Sequence, residues 1–371
     1  MMHVLLTLRR APIVIEPGQP RVVLVTGASS GIGLCSAALF AARGWRVGLV
    51  SRSPEGLAAA AGAIARQSPG AEVAWAVADV TDSEALAAAA RSLAATLGPI
   101  RVWVNAAGNG VYGRFADVPE AEYRRVTDVT YHGTVNGTRI ALSHMAARDE
   151  GTIVNVCSAV VIHGVPLMTS YSGAKAAVRA FGQSLRIELR LSGSRVRIAT
   201  LIPPAINTPF FDHAVSHMGF PARPVPPVYR TEVAARGVWL CATGRGGELL
   251  LTGVVQAYSR IARLSPWLAG YLVSRSDFAS ELPRDEDGPR DRVPCLFGTR
   301  RTGHSMHGPF RARARQWSSQ VWLAGLWRRL RLRLSPARPA VPSPPSRAPA
   351  VPDHAPAGSA QPEPAASDNV R

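Results

Sequence analysis

Lysine is nearly absent from this 371-residue chain, since Lys175 is the only lysine among 42 lysine and arginine residues. A compact ammonium can donate to two neighbouring hydroxyls from one point, whereas the planar guanidinium prefers carboxylates and phosphates. Lys175 follows Tyr171 by four residues, so on a helix its ammonium would lie beside the phenol. Taken alone, the pair also fits an ordinary amphipathic helix with a surface lysine.

Cysteine and long apolar runs are scarce as well. The four cysteines show no paired spacing, which excludes a disulfide framework or a zinc site as the organising feature and favours a reducing, cytoplasmic compartment. No run approaches the 18 apolar residues that suggest a membrane span, and the first ten residues do not resemble a signal peptide. His213 and His217 are four residues apart without a third ligand, so no metal site is predicted.

Acidic residues are outnumbered, 25 against 42 cations, which gives a net charge of +17. Part of this surplus lies near the C-terminus, where residues 311–333 contain seven arginines and no acid, so nucleic-acid binding by the fold is not indicated. Tryptophan and leucine accompany these arginines, and residues 311–334 are predicted to form a basic amphipathic segment that contacts a membrane surface. A solvated helix or a disordered extension is the alternative. The Pro- and Ala-rich residues 335–371 are predicted to be disordered.

Short apolar runs alternate with Ala-rich helical segments between residues 20 and 255. This pattern predicts an α/β fold with a doubly wound, seven-stranded parallel sheet and helices on both faces. An extension at 1–19 would precede this domain, which is placed at 20–260, and an extension at 261–310 would pack partly on its core. The predicted strands are Arg21–Thr26, Arg46–Val50, Val73–Val77, Arg101–Asn105, Thr152–Val156, Arg195–Leu201 and Glu248–Leu251, and the predicted helices are Ile32–Arg43, Pro54–Arg66, Ser83–Leu97, Ala121–Ala147, Tyr171–Leu191 and Glu232–Thr243.

The first predicted strand runs into a glycine-rich turn that opens a helix. Glycines let the backbone approach a pyrophosphate, and a helix start offers amide donors and the positive end of its dipole. Dinucleotide binding is therefore predicted for Gly27, Ser29, Ser30, Gly31, Ile32 and Gly33. The second strand ends at Arg52 without the acid that an NAD site presents to the ribose, so Arg52 is predicted to bind the 2′-phosphate of NADP(H). A solvated arginine and an NAD(H) site remain the alternatives.

These motifs, with Tyr171 and Lys175, resemble those of the short-chain dehydrogenase/reductase (SDR) family. Further motifs follow in the family's order over residues 20–255: Asp79-Val80, Asn105-Ala106-Ala107-Gly108, Ser158 at 13 residues before Tyr171, and Pro203-Pro204-Ala205-Ile206-Asn207-Thr208. The resemblance implies a Rossmann-type fold. It also implies cofactor contacts from Asp79, Val80, Asn105, Ala106, Ala107, Tyr171, Lys175, Pro203, Ile206 and Thr208.

The resemblance further implies an NAD(P)-dependent oxidoreductase acting on an alcohol/carbonyl pair. Tyr171 would exchange a proton with the substrate oxygen, Lys175 would hold the nicotinamide ribose and lower the phenol pKa, and Ser158 would stabilise developing charge. Thr130 stands where the family usually has a catalytic asparagine, which predicts a slower or rewired proton relay. The family also implies a homodimer or homotetramer.

Two other functions stay open at this stage. A cofactor-binding regulator or scaffold with weakened catalysis would explain Thr130, and a membrane-surface module would act through the C-terminal segment. Phe210, Phe211, Met218 and Phe220 predict an apolar lid over the substrate, although no residue singles out one alcohol, ketone or aldehyde.

Overall fold

The computed structural model of the chain describes residues 19–281, 295–299 and 304–320. Most of the predicted N-terminal extension and all of the predicted tail at 335–371 lie outside these residues. The same is true of residues 321–334 of the predicted basic amphipathic segment.

Seven parallel strands form the main sheet, which confirms the predicted doubly wound α/β fold. The strand order β3-β2-β1-β4-β6-β7-β9 reverses between β1 and β4, and ligands of such sheets bind where the order reverses, at the carboxyl ends of the strands. These strands are β1 Val22–Thr26, β2 Arg46–Ser51, β3 Val73–Val77, β4 Ile100–Asn105, β6 Thr152–Val156, β7 Arg197–Ile202 and β9 Gly247–Leu250. A separate pair consists of β5 Val111–Tyr112 and β8 Val215–Ser216.

Helices cover both faces of the sheet because successive strand residues point to opposite sides. In β1, Val23 and Val25 pack in the apolar cluster beneath α1, α2 and α8, whereas Val22 and Leu24 pack beneath α3 and α5. The helices are α1 Gly31–Ala41, α2 Pro54–Gln67, α3 Ser83–Leu97, α4 Glu120–Thr127, α5 Gly133–Ala146, α6 Thr169–Leu191, α7 Phe210–His213, α8 Thr231–Thr243, α9 Gly253–Leu264 and α10 Pro266–Glu281.

The long helix predicted at Ala121–Ala147 is interrupted by a π-helical turn, Asp128–His132, between α4 and α5. Such turns often lie at functional sites because they displace one residue from the regular helical spacing. Here the displaced region contains Thr130.

The C-terminal part of the described chain packs on the domain in two ways. Helices α9 and α10 form a hairpin, and residues 304–320 run along the loops after β7. There the Arg315 amide donates to the Val228 carbonyl, and the Arg315 carbonyl accepts from the Arg230 amide. In the described part of the predicted amphipathic segment, Arg311–Arg313 form a 3-10 turn, residues 314–318 contain no helix, and a helix begins only at residue 319. No helix among the described residues is long and apolar enough to cross a membrane.

A side-chain cluster ties the last strand of the sheet to α6. Arg179 donates from Nε and Nη2 to the two carboxylate oxygens of Glu248, each at 2.9 Å, and Gln183 adds a bond of 2.8 Å. Burial raises the pKa of Glu248, but the bonds from Arg179 and Gln183 outweigh it and hold the pKa below its ordinary value.

We expect a double-mutant cycle between Arg179→Ala and Glu248→Ala to give a coupling of about 1 kcal/mol in the free energy of unfolding at neutral pH. Because the folded pKa of Glu248 is depressed, this stabilisation is present above the ordinary glutamate pKa of 4.5 and is lost as the pH falls through the lower folded value. Urea unfolding at neutral and acid pH measures it. The exposed pair Arg124–Glu120 is the control, with a coupling of at most about 0.5 kcal/mol, and an equal coupling for both pairs would contradict the prediction.

Candidate active site

A cavity of about 520 Å³ opens at the carboxyl ends of the strands. It brings together all but two of the residues that the sequence analysis assigned to catalysis or cofactor binding; Asn105 and Thr130 do not line it. The predicted residues on its wall are Gly27, Ser29, Ser30, Gly31, Ile32, Gly33, Arg52, Asp79, Val80, Ala106, Ala107, Ser158, Tyr171, Lys175, Pro203, Ile206 and Thr208.

The glycine-rich turn packs so closely that side chains would not fit at two of its positions. A Cβ on Gly33 would lie 2.3 Å from the Gly27 carbonyl oxygen, and one on Gly27, whose φ is +65°, would lie 2.7 Å from the Ala107 backbone. The turn therefore brings the start of α1 against the cavity. The amide of Gly31, at the first position of α1, donates to the Ser305 carbonyl at 2.9 Å. A backbone carbonyl from the C-terminal part of the chain therefore occupies this helix start.

Arg52 and Asp79 also line the cavity, and Arg125, which does not line it, bonds Asp79. Arg52 donates to the backbone carbonyls of Cys295, Leu296 and Phe297 at 3.0–3.4 Å, and its Nη1 lies 3.9 Å from Asp79 Oδ2. Arg125, from α4, donates to the same oxygen of Asp79 at 2.6 Å. Burial raises the pKa of Asp79, but the bonds from Thr81 and Arg125 outweigh it and lower the pKa.

Ser158, Tyr171 and Lys175 meet on one wall of the cavity. Ser158 follows β6 and accepts a bond from the Val160 amide at 3.5 Å, and its side chain also hydrogen-bonds Tyr171. Tyr171 and Lys175 lie one helical turn apart at the start of α6. The Lys175 ammonium lies 5.7 Å from the centre of the Tyr171 ring and donates to the Val156 carbonyl at 2.8 Å.

A family model of short chain dehydrogenases matches residues 21–219. The chain belongs to the short-chain dehydrogenase family. Among its relatives, the uncharacterized oxidoreductase YxnA of Bacillus subtilis is 29% identical over 73% of this chain and 76% of its own length. Levodione reductase of Leifsonia aquatica is 32% identical over 53% of this chain and 74% of its own length. The chain is thus an oxidoreductase of this family.

Solved short-chain dehydrogenase structures share the fold. An alcohol dehydrogenase from the archaeon Thermococcus sibiricus, in complex with 5-hydroxy-NADP, is 25% identical and superposes with a TM-score of 0.54 over 62% of this chain and 95% of its own. A metagenomic short-chain oxidoreductase in complex with NADP is 27% identical and has a TM-score of 0.52 over 62% and 96% of the two chains.

Burial dominates the proton affinities of the two catalytic candidates in this short-chain dehydrogenase. It raises the pKa of the Tyr171 phenol, which the hydrogen bond from Ser158 offsets only in part, and it lowers the pKa of Lys175. The sequence analysis expected Lys175 to lower the pKa of Tyr171, and the structure gives the opposite direction. The reason is that the ammonium bonds a backbone carbonyl while the phenol is enclosed by apolar groups, including the Phe210 ring at 5.3 Å.

Thr130 lies on the π turn behind the catalytic wall. Its hydroxyl is fully buried and makes no hydrogen bond with the described residues, while its carbonyl accepts from the Thr134 hydroxyl at 2.8 Å. A Cβ on Gly108 would lie 3.6 Å from Lys175 Nζ and 3.8 Å from Thr130 Oγ1, so both polar atoms approach this glycine. Thr130 therefore has Gly108 as a neighbour in common with Lys175 but does not line the cavity.

Asn105, which was predicted to contact the cofactor, has a side chain that bonds neighbouring parts of the sheet and helix α5. Its amide nitrogen donates to Asn155 Oδ1 at 2.9 Å and to Thr138 Oγ1 at 3.1 Å, and its oxygen accepts from the Trp103 indole at 2.7 Å. Every polar atom of this buried side chain is thus bonded to other parts of the fold, which is what a buried amide requires.

Residues 295–299 and 304–310, which we call the C-terminal strap, form a wall of the cavity outside the matched family region. Besides their bonds to Arg52 and Gly31, they wrap the loop after β7: Phe310 and Gly308 donate to the side chain and backbone of Asn207, and Met306 accepts from the Thr231 hydroxyl. The strap and Arg125 are site components that sequence reasoning missed. In the sequence of the strap, the residue that could have indicated this contact is Gly308. Any other residue there would place its Cβ 2.5 Å from the Thr208 carbonyl oxygen.

Much of the remaining wall of the cavity is apolar and comes from Phe210 and Phe211 of the predicted lid and from the hairpin, whereas Met218 and Phe220 do not line the cavity. Phe210 and Phe211 pack edge to face at 5.4 Å, and Phe211 meets Phe310 of the strap at 5.9 Å. His213 lines the cavity, whereas His217 bonds Glu122 at 2.7 Å, so the two histidines do not converge. Among the residues with described positions, no group of His, Cys, Asp and Glu could hold a metal ion.

Proposed function

We propose that this short-chain dehydrogenase interconverts a carbonyl compound and its alcohol with NADP(H). The observation that carries the proposal is the convergence of Ser158, Tyr171 and Lys175 on the wall of a cavity that also contains the glycine-rich start of α1. A helix start after a glycine turn suits a pyrophosphate, which would here replace the Ser305 carbonyl as the acceptor of the Gly31 amide, and Asp79, Lys175 and Thr208 line the same cavity. When bound, the cofactor would supply or accept the hydride.

The chain's own residues would handle the proton and the charge on oxygen. A phenol whose pKa is raised by burial stays protonated at neutral pH, so Tyr171 is suited to give its proton to a carbonyl oxygen. Ser158, which already bonds Tyr171, would donate to the same oxygen. Lys175 would hold the ribose, and the buried Thr130 hydroxyl would take the place of the usual asparagine in returning the proton.

The substrate would be apolar around its carbonyl group. The cavity is lined by Phe210, Phe211, Met168 and Val165 and, from the hairpin, by Tyr258, Leu272 and Val273, with the imidazoles of His163 and His213 among them. A charged substrate would lose its hydration against the apolar part of this wall, where only the imidazoles of His163 and His213, among the described residues, could pair with it. Thr130 also supports a second candidate function, a cofactor-binding regulator with weak catalysis, which would bind NADPH without turnover.

NADP(H) is preferred in the proposal because β2 ends at Ser51 and is followed by Arg52, so it offers no acid to a ribose hydroxyl. The guanidinium of Arg52 is already held at the cavity, between Asp79 and the strap. A guanidinium binds a phosphate through charge-assisted hydrogen bonds that are often bidentate, which suits Arg52 to a 2′-phosphate.

We expect Arg52→Ala to raise the Kd for NADPH about 10- to 100-fold and to leave the Kd for NADH nearly unchanged, since only NADPH has the 2′-phosphate. Nucleotide fluorescence measures both affinities, and absorbance of the reduced nicotinamide with a panel of apolar ketones measures turnover. Arg46→Ala, which removes an arginine from the same strand outside the cavity, is the control. Equal weakening of both nucleotides by Arg52→Ala would show that the arginine only holds the strap, and NADPH binding without turnover of any ketone would favour the regulator.

A further inference from the structure

The hairpin of α9 and α10 presents an apolar face to solvent. Leu264 is 86% exposed and Trp267 is 77% exposed, and they lie on either side of the turn at Ser265. Along α10 the face continues through Leu268, Tyr271 and Leu272, which are 37–46% exposed. We call these five residues the hairpin face. Apolar surface of this kind on a soluble domain indicates a binding site when it is contiguous.

The hairpin face is ordered rather than a frayed end of the chain. Trp267 and Tyr271 stack at 5.8 Å with an angle of 11° between their rings, and the Arg275 guanidinium lies 5.7 Å over the Tyr271 ring. The opposite side of α10 is held in the core by Ala269 and Val273, which are 0% and 5% exposed. The aromatic side chains are therefore presented to solvent by a helix that is anchored from behind.

The charged side chains of the hairpin up to residue 276 are all positive. Arg260, Arg263 and Arg275 are exposed beside it, and the chain contains no acid between residues 249 and 276. A twofold contact between two copies would bring these arginines together, because such an interface uses the same patch on both subunits. An anionic lipid surface would instead attract them, at the depth where tryptophan and tyrosine rings prefer to lie.

We propose that the hairpin face docks on an anionic phospholipid bilayer, with Trp267 and Tyr271 among the headgroups and the three arginines against lipid phosphates. The helices do not span the bilayer; they lie on it. The inner side of the same hairpin lines the cavity through Val255, Tyr258 and Val273, and Leu272 contributes to both surfaces. Docking would therefore place the apolar end of the cavity at the bilayer, where apolar carbonyl compounds concentrate.

The test is flotation of the full-length protein with vesicles of phosphatidylcholine and phosphatidylglycerol, compared with vesicles of phosphatidylcholine alone. We expect binding to the anionic vesicles that falls with added salt. Trp267→Ser with Tyr271→Ser should weaken it about tenfold or more, and Arg260→Gln and Arg263→Gln about fivefold each. The control is Ile187→Ser with Leu191→Ser, which removes exposed apolar side chains from α6 and should change nothing.

Other results would overturn the proposal. These are no flotation of the unmodified protein, equal flotation of the hairpin and α6 variants, and loss of flotation only in Trp322→Ser with Trp327→Ser, which would assign binding to the C-terminal segment. A halved mass in light scattering for the Trp267→Ser, Tyr271→Ser variant, with flotation unchanged, would assign the face to a subunit contact. NADPH fluorescence of each variant checks folding. Flotation needs no cofactor, so its failure leaves the proposed reaction intact.

Discussion

Tyr171→Phe is expected to lower kcat for carbonyl reduction about 10²- to 10⁴-fold while NADPH binds with nearly unchanged affinity. The substitution removes one hydroxyl from a ring that stays packed against Phe210. Without it, Ser158 can still donate to the substrate oxygen, but the group proposed to transfer the proton is missing, and the Lys175 ammonium is held by the Val156 carbonyl. Steady-state absorbance of the nicotinamide gives kcat, and NADPH fluorescence gives the affinity.

The matched control is Tyr123→Phe, since Tyr123 is a partly buried phenol on α4 that packs against Phe115 outside the cavity. It should keep full activity. Full activity of Tyr171→Phe would remove the phenol from the mechanism, and a parallel loss of NADPH binding would show that the substitution had disturbed the cavity instead.

Lys175→Met is expected to lower kcat/KM about 10²-fold or more and, unlike Tyr171→Phe, to weaken NADPH binding about tenfold. The ammonium is the only cationic group that the chain places on the Tyr171 wall of the cavity among the described residues. Methionine has nearly the same length but no donor for the ribose. The variant should be at least as stable as the parent, because burial already lowers the pKa of Lys175 and the buried charge is costly.

The Lys175→Met prediction combines a loss of activity with no loss of stability, so a general disturbance of the fold would not reproduce it. A thermal melt measures stability, and Arg190→Met, which removes an exposed cation from the end of the same helix, is the control with unchanged activity. A lower Tm would show that Lys175 serves the fold, and unchanged NADPH affinity would contradict its assignment to the ribose.

The sheet was predictable because parallel strands are buried on both faces and therefore leave continuous apolar runs, such as Val22–Val25 in β1. The site residues followed because the sheet brings the carboxyl ends of its strands together, so motifs far apart in sequence, such as Ser158 and Gly31, line one cavity. Each site residue can be recognised from its own short motif, and the fold of the sheet then brings these residues together.

What the sequence did not reveal depends on contacts between distant segments. Arg125 meets Asp79 across 46 residues, and Arg52 meets Cys295 across 243, with no local pattern that marks either pair. The direction in which the pKa of Tyr171 shifts was predicted wrongly for a related reason. Proximity to a lysine can be read from spacing on a helix, but the depth of burial that outweighs it cannot.

The burial of Lys175 has a consequence for chemical probing of this enzyme. The chain has one ε-amino group, and only 5% of that residue is exposed. Apart from the α-amino group, an amine-directed reagent has a single target, which lies on the wall of the cleft. The extent of acylation of Lys175 thus measures how often the cavity admits a small molecule, without any engineered label.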